Sequence, residues 1–127
     1  MPLLIALVDD LLFLSRIREA GRAAGIEVRA VRGASDLLDA ARDDGRLVLV
    51  DADSGRLPWK AAVAALRAEP ATAFLPVVAF VSHVQVDHAQ AARAAGASRV
   101  LARSAFVKEL PELVAQAARP RTEEPVQ

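Results

Sequence analysis

Two pairs of aspartates stand directly after aliphatic runs, and they are the residues of this chain best suited to chemistry. Asp51 follows the run LVLV, with Asp53 two residues later. Asp9 and Asp10 follow the run LLIALV. Carboxylates that lie together bind hard cations such as Mg²⁺, and a single carboxylate can act as a nucleophile toward phosphorus. A hydrolase nucleophile motif and a plain polar turn have the same letters, so the chemistry depends on what the fold brings together.

Apolar runs of strand length alternate with segments of helical periodicity along the chain. Strands are predicted at residues 3–8, 26–31, 47–51, 75–81 and 98–102. Helices are predicted near residues 12–24, from an N-cap at Ser35 to a stop at Gly45, near 59–68, near 87–95, and from Val107 or Lys108 onward. Strands that are apolar throughout are typical of a parallel sheet covered by helices on both faces. Right-handed crossovers then give a doubly wound α/β fold.

The last predicted helix contains a proline, and the chain after it is polar. Pro111 would interrupt a helix that began at Ser104, so we expect the helix to begin near Val107 or Lys108, where a first-turn proline is tolerated. The segment RPRTEEPVQ at 119–127 has little apolar content and two prolines. We therefore expect one domain over residues 1–118, followed by a disordered tail or the start of a linker.

Composition excludes several classes of protein. The chain has 127 residues, no cysteine, and sixteen basic side chains that balance sixteen acidic ones. Without cysteine there are no disulfides, thiolate metal sites or thiol catalysis. A neutral chain lacks the electrostatic attraction that drives nucleic-acid binding, so we expect no direct nucleic-acid contact. The apolar runs are too short for a signal peptide or a membrane span, and we expect a soluble, cytoplasmic protein.

The acidic pairs should meet at one edge of the predicted sheet. In open parallel sheets the site lies outside the carboxyl ends of the strands, near the point where the strand order reverses. Asp9 and Asp10 end the first strand and Asp51 ends the third, so neighbouring positions for these strands would gather three carboxylates. Such a cluster suits Mg²⁺, and the ion would let Asp51 accept a phosphoryl group by offsetting the repulsion between anions.

Five motifs in order make the chain similar to the receiver domain of bacterial response regulators over about residues 3–118. LIALVDD resembles that family's first strand with its acidic pair, LVLVD its third strand, LPVVAFVS its fourth, and AARAAGASRVLARS its fourth helix and fifth strand. The resemblance implies a flavodoxin-like (βα)5 fold with strand order 2-1-3-4-5. It also implies that Asp9, Asp10, Asp51 and the backbone carbonyl of Asp53 bind Mg²⁺, and that Asp51 is the phosphoacceptor.

The sequence departs from this family at its switch positions. The family's fourth strand ends in Thr or Ser, but Val81 stands there and has no hydroxyl; the neighbouring Ser82 should point to the opposite face. Arg103 stands where the family has Lys, and Ser104 where it has proline. Arginine keeps the charge but is longer and planar, so this exchange is not conservative. Val100 stands where the family has an aromatic residue.

Four functions remain open at this point, one of them a scaffolding domain with a receiver fold and no signal input. The favoured hypothesis is a pseudo-receiver that is not an enzyme, in which Arg103 holds Asp51 in a fixed ion pair and signalling works by contact with a sensor kinase or an effector protein. A homodimer through the last two helices and the fifth strand is one form of such contact. The first alternative is a conventional receiver phosphorylated on Asp51 with Mg²⁺. The remote alternative is a haloacid-dehalogenase-like phosphatase, since VLVDADSG resembles that family's nucleophile motif, although no later acidic pair follows it.

Several other residues have ordinary explanations. The Asp53 side chain is predicted to form a turn, and Trp59 to pack beneath a loop. His83 and His88 are five residues apart, a spacing that does not align them on one helix face, so they are predicted to be solvated rather than metal-binding. Two residues of the run Leu11–Leu14 should face the core, and the other two are either covered by a loop or exposed for docking.

Overall fold

The computed structural model describes residues 1–82 and 86–119. In this part of the chain, strands and helices alternate, each strand being followed by a helix. The strands are β1 (Leu3–Leu7), β2 (Glu27–Ala30), β3 (Gly45–Asp51), β4 (Val77–Val81) and β5 (Arg99–Ala102). The helices are α1 (Leu11–Ala24), α2 (Ala34–Arg42), α3 (Trp59–Ala68), α4 (Val86–Ala95) and α5 (Arg103–Ala118).

The five strands form one parallel sheet in the order β2-β1-β3-β4-β5. This confirms the predicted doubly wound α/β fold and its strand order. Because β1 and β3 are neighbours, with Leu7 opposite Val50, the aspartates that follow them lie at the same edge.

Apolar side chains pack on both faces of the sheet, as the strands without alternation predicted. On one face, Ile5, Val50 and Val81 pack with residues of α2, α3 and α4. On the other face, Phe80 lies among residues of α1 and α5. The three central strands are therefore buried on both sides, which is typical of parallel sheets, and their carboxyl ends are held rigidly.

The predicted start of α5 was wrong. The helix begins at Arg103, directly after β5, and contains Pro111 in its interior. A proline inside a helix costs about 3 kcal/mol, whereas burying Phe106 and Leu110 stabilises the helix by roughly 1.5–3 kcal/mol each. Packing of the first turns therefore outweighs the proline, which lies on the exposed side of the helix.

The predicted ends of α2 were also wrong. Its N-cap is Gly33, not Ser35, and the side chain of Asp36 accepts hydrogen bonds from the backbone N–H groups of Arg32 and Gly33 at 2.8 and 2.9 Å. Gly45 does not stop the helix but is the first residue of β3. The turn between them is made at Asp44, which has a φ of 128°.

Some predictions concern residues outside the described part of the chain. His83 is one of them, and so are residues 120–127 of the predicted tail. The domain over residues 1–118 and its tail stay a prediction. Among the described residues, no helix combines the length and the hydrophobicity that crossing a bilayer requires.

Candidate functional site

An open pocket at the carboxyl edge of the sheet brings together all the acidic residues that the sequence singled out. The pocket is lined by Asp9, Asp10, Asp51, Asp53, Ser54, Gly55, Arg56 and Arg103. Four carboxylates thus face two guanidinium groups. The strand order explains the convergence of the carboxylates, since β1 and β3 are adjacent and their carboxyl ends both lie at this pocket.

Asp51 is the buried member of the cluster. It is 2% exposed, and its Oδ1 accepts a hydrogen bond of 3.1 Å from the backbone N–H of Asp53. Burial raises the pKa of the Asp51 carboxyl, and this effect outweighs the hydrogen bond and the attraction of Arg103, which act in the opposite direction. The negative charge of Asp51 is therefore held in an unfavourable environment.

Asp10 has two structural roles. Its Oδ1 caps α1 by accepting hydrogen bonds from the backbone N–H groups of Leu12 and Phe13 at 2.9 and 3.1 Å. Its Oδ2 accepts a 3.0 Å hydrogen bond from Nη1 of Arg103. The hydrogen bond with Arg103 is the main reason why the pKa of Asp10 lies below its usual value, and the helix N–H groups lower it further.

Asp53 links the pocket to the end of β4, a contact that sequence reasoning missed. Its Oδ2 accepts hydrogen bonds from the backbone N–H and the hydroxyl of Ser82, at 2.6 and 2.5 Å. The same oxygen lies 3.6 Å from Nε of Arg103. The side chain therefore bridges two loops, where the sequence predicted only a turn. The potential of Ser82 to donate a hydrogen bond was visible in the sequence, but its direction was not.

Asp9 lies at the outer side of the pocket. Its Oδ2 is 3.4 Å from the hydroxyl of Ser54 and 4.0 Å from Nε of Arg56. The Arg56 side chain is 81% exposed. An ion pair so open to solvent contributes little to stability.

Arg103 lies in the middle of the cluster. Besides its hydrogen bond with Asp10, its Nη2 is 3.7 Å from Oδ1 of Asp51, and its Nε is the nitrogen that faces Asp53. The guanidinium carbon is 4.5 Å from the ring centroid of Phe13 and 5.3 Å from that of Phe80. Carboxylates and aromatic rings together hold the cation in place. The sequence predicted the contact with Asp51 but gave no sign of the rings.

Val81 stands where the receiver family has the hydroxyl of Thr or Ser, and its side chain has no hydroxyl. Val81 is fully buried on the sheet face covered by α2, α3 and α4, and it pairs with Ala102 of β5. Val100 is also buried in that core. These side chains pack as ordinary core residues, and the nearby hydroxyl of Ser82 is engaged by Asp53 instead.

The apolar residues near the acidic pair are divided as expected. Phe13 is buried and Leu14 packs against the core, whereas Leu11 and Leu12 are 80% and 64% exposed. Trp59 is buried at the start of α3. The exposed leucines extend the surface beside the pocket but contribute nothing to its polar chemistry.

A divalent ion does not fit the side chains as they are arranged. In the described part of the chain, no group of three His, Cys, Asp or Glu residues is placed to hold a metal ion. Mg²⁺ requires several oxygens close to octahedral positions. Here one oxygen of Asp10 is bound by the helix and the other by Arg103, and a positive charge already stands among the carboxylates.

Comparison with known proteins identifies the fold. No protein-family model and no curated protein matches the sequence significantly. Solved structures do match. A response regulator from Hahella chejuensis superposes with a TM-score of 0.76 at 19% identity, covering 92% of this chain and 95% of that one. The chemotaxis response regulator CheY4 of Vibrio cholerae gives 0.74 at 18% identity, covering 92% and 98%.

A third solved structure with the same fold contains a bound metal ion. The Mn²⁺-bound form of response regulator Rcp1 gives a TM-score of 0.66 at 16% identity, covering 90% of this chain and 89% of that one. At such identities the likeness establishes the fold. The chain therefore has the fold of a response-regulator receiver domain.

Proposed function

We propose that this chain is a receiver-type signalling module that acts by protein contact, without phosphoryl transfer to Asp51 and without enzymatic activity. The observation that carries the proposal is the position of Arg103, whose guanidinium lies between Asp10, Asp51 and Asp53. Phosphoryl transfer to Asp51 would need a divalent cation to offset the repulsion between anions. The guanidinium stands among the carboxylates that would hold that cation.

The missing hydroxyl supports the same function. A phosphoryl group on Asp51 would be read by hydrogen-bond donors around it, and Val81 offers none. Ser82, the next residue, is held by Asp53 through both its backbone N–H and its hydroxyl. The pocket thus retains the acidic residues of a receiver but lacks the donor that would couple phosphorylation to β4.

Partner contact is assigned to the surface of α4, β5 and α5. On this side Arg99 of β5 forms an ion pair of 2.9 Å with Glu109 of α5, so strand and helix present one joined surface. The partner is a sensor kinase or an effector protein in the cytoplasm, or a second copy of this chain. Nucleic acid and membrane are not proposed as partners, because the charges of the chain balance.

The test is the mass of the intact protein after incubation with Mg²⁺ and a small acyl-phosphate donor. Wild type and Asp51→Asn are compared, with a conventional receiver domain treated in parallel to show that the donor is active. We expect no phosphoryl adduct on either form of this chain. An adduct on the wild type that is absent from Asp51→Asn would overturn the proposal and establish the second candidate, a phosphoacceptor receiver. That candidate draws on the convergence of the four aspartates.

A further inference from the structure

The guanidinium of Arg103 contacts each of its three acidic neighbours through a different nitrogen. Nη1 faces Asp10 at 3.0 Å, Nη2 faces Asp51 at 3.7 Å, and Nε faces Asp53 at 3.6 Å. The planar, forked shape of the group makes this division feasible, and a lysine ammonium could not reproduce it. One covalently attached cation therefore contacts three carboxylates, which lie at the ends of β1 and β3.

Two aromatic rings also contact the guanidinium. Its carbon lies over Phe13 and Phe80, and these rings are themselves 5.0 Å apart between centroids. The Phe80 and Phe106 rings stack at 4.5 Å, so the surface under the cation is part of the core. A side chain that contacts buried aromatic rings as well as three carboxylates has many contacts to lose if it swings out of the pocket.

The carboxylate oxygens nearest the guanidinium are already engaged. Asp10 uses both of its oxygens, one for the N-terminus of α1 and one for Arg103. Asp51 Oδ1 accepts from the backbone of Asp53, and Asp53 Oδ2 accepts from Ser82. An incoming divalent ion would compete with these donors for the same oxygens, and it would also be repelled by a positive charge within a few ångströms.

We propose that Arg103 is the resident cation of this acidic pocket and takes the place of a divalent metal ion, so that the protein is independent of Mg²⁺ and gains a metal site when the guanidinium is removed. This inference rests on the proposed function and deepens it, because it names the group that makes the module independent of metal and phosphate.

The test measures Mn²⁺ binding by electron paramagnetic resonance of the free ion, on the purified full chain. Wild type is expected to show no saturable binding at millimolar Mn²⁺. Arg103→Ala should gain saturable binding, at least about tenfold tighter than the weakest affinity that the titration detects, since a full positive charge beside the ion is removed. No gain of binding by a folded Arg103→Ala would overturn the inference. Arg103→Lys should also gain binding, but less, because the charge remains while the fork that engages Asp10 is lost. Thermal unfolding shows whether each variant is folded. If Arg103→Ala is not folded, Arg103→Lys still tests the inference.

Two further variants locate the effect. Arg56→Ala removes the same formal charge from the outer side of the pocket and is expected to raise the affinity less than Arg103→Ala. The double variant Arg103→Ala, Asp51→Asn should lose the binding that Arg103→Ala gained. Equal gains in the Arg56 and Arg103 variants, or full binding by the double variant, would overturn the inference, because the position of the guanidinium would then not be the cause.

Failure of this inference is distinguishable from failure of the proposed function. Saturable Mn²⁺ binding by the wild type that is lost in Asp51→Asn overturns the inference. If the wild type still forms no adduct with the acyl-phosphate donor, the signalling function without phosphorylation stands. An adduct on Asp51 overturns the proposed function itself, whatever the result of the metal titration.

Discussion

Two arginines are partly buried at opposite edges of the same sheet, and their surroundings differ. Arg67 of α3 lies near the amino ends of β4 and β5 and donates hydrogen bonds to the carbonyls of Ala73, Leu75 and Gly96, at 2.6, 2.6 and 2.9 Å. Its fourth acceptor is the hydroxyl of Ser98 at 3.2 Å. Arg103 lies at the carboxyl ends and is surrounded by carboxylates.

The two arginines have different roles. Arg67 donates hydrogen bonds to three backbone carbonyls, and is called a brace for that reason, whereas Arg103 is the central charge of an acidic cluster. All the acceptors of Arg67 named above are neutral, they use its three nitrogens, and burial lowers the pKa of the guanidinium. Arg103 is surrounded by charge but is less well bonded, since its Nε is buried and has no hydrogen-bond partner in the described part of the chain. Arg67 at the amino edge is thus bound by neutral acceptors, whereas charged groups are concentrated at the carboxyl edge.

The largest expected effect is the loss of the brace. Arg67→Met removes the donor from three backbone carbonyls, and we expect the free energy of unfolding to fall by about 3 kcal/mol, since buried acceptors would lose their partners. Chemical denaturation measures the change. The matched control is Arg93→Met, at an exposed position of α4, where we expect a change within about 0.5 kcal/mol. Equal effects of the two substitutions would contradict the assignment of Arg67 as a brace.

The next effect separates the two roles of Asp10. Asp10→Ala removes both the cap of α1 and the partner of Arg103, and should lower the free energy of unfolding by about 1–2 kcal/mol. Asp10→Asn keeps a capping oxygen and should lose less. Because the pKa of Asp10 is lowered in the folded protein, its charge stabilises the fold above the unfolded-state pKa, and this contribution is lost as the pH falls through the folded value. Denaturation curves measure the difference in stability between wild type and Asp10→Asn. We expect this difference at neutral pH and expect it to disappear in acid, where Asp10 is protonated.

The smallest effect has the opposite sign. The pKa of Asp51 is raised above its ordinary value of 3.8 because the carboxyl is buried. The folded protein therefore binds this proton more tightly than the unfolded chain, and stability falls as the pH rises from the ordinary value through the raised one. Asp51→Asn removes this loss, so we expect it to raise the free energy of unfolding at neutral pH by up to about 1 kcal/mol. Destabilisation at neutral pH would mean that the attraction of Arg103 outweighs burial.

The sheet could be predicted from the sequence because its signals are local. Apolar runs define β1, β3 and β4, and their continuous hydrophobicity implies a parallel arrangement with both faces covered. The start of α5 could not be predicted in the same way. The penalty of Pro111 is a local property, but the burial of Phe106 and Leu110 that outweighs it depends on where the helix packs.

The candidate site also combines features that the sequence predicted with features that depend on the folded arrangement. The strand order brings Asp10, Asp51 and Arg103 together. The strand ends predicted that the aspartates could meet at one edge, whereas the strand order and the position of Arg103 were predicted from the resemblance to receiver domains. The bridge from Asp53 to Ser82 and the ring of Phe13 beneath Arg103 were missed. Both depend on side-chain directions across loops, and spacing along the chain carries no information about them. Arg67 gave no signal at all, since its acceptors are backbone carbonyls.

The most direct test of the account is a nuclear magnetic resonance titration of the Arg103 Nε–H group in protein labelled with ¹⁵N, with the signal assigned by its absence from Arg103→Lys. The account predicts a signal that is protected from exchange with water and is unmoved by millimolar Mg²⁺ and an acyl-phosphate donor, because the guanidinium stays between Asp10, Asp51 and Asp53. A signal that shifts or becomes exposed to exchange when Mg²⁺ is added would show that the metal displaces the guanidinium, and would contradict the account.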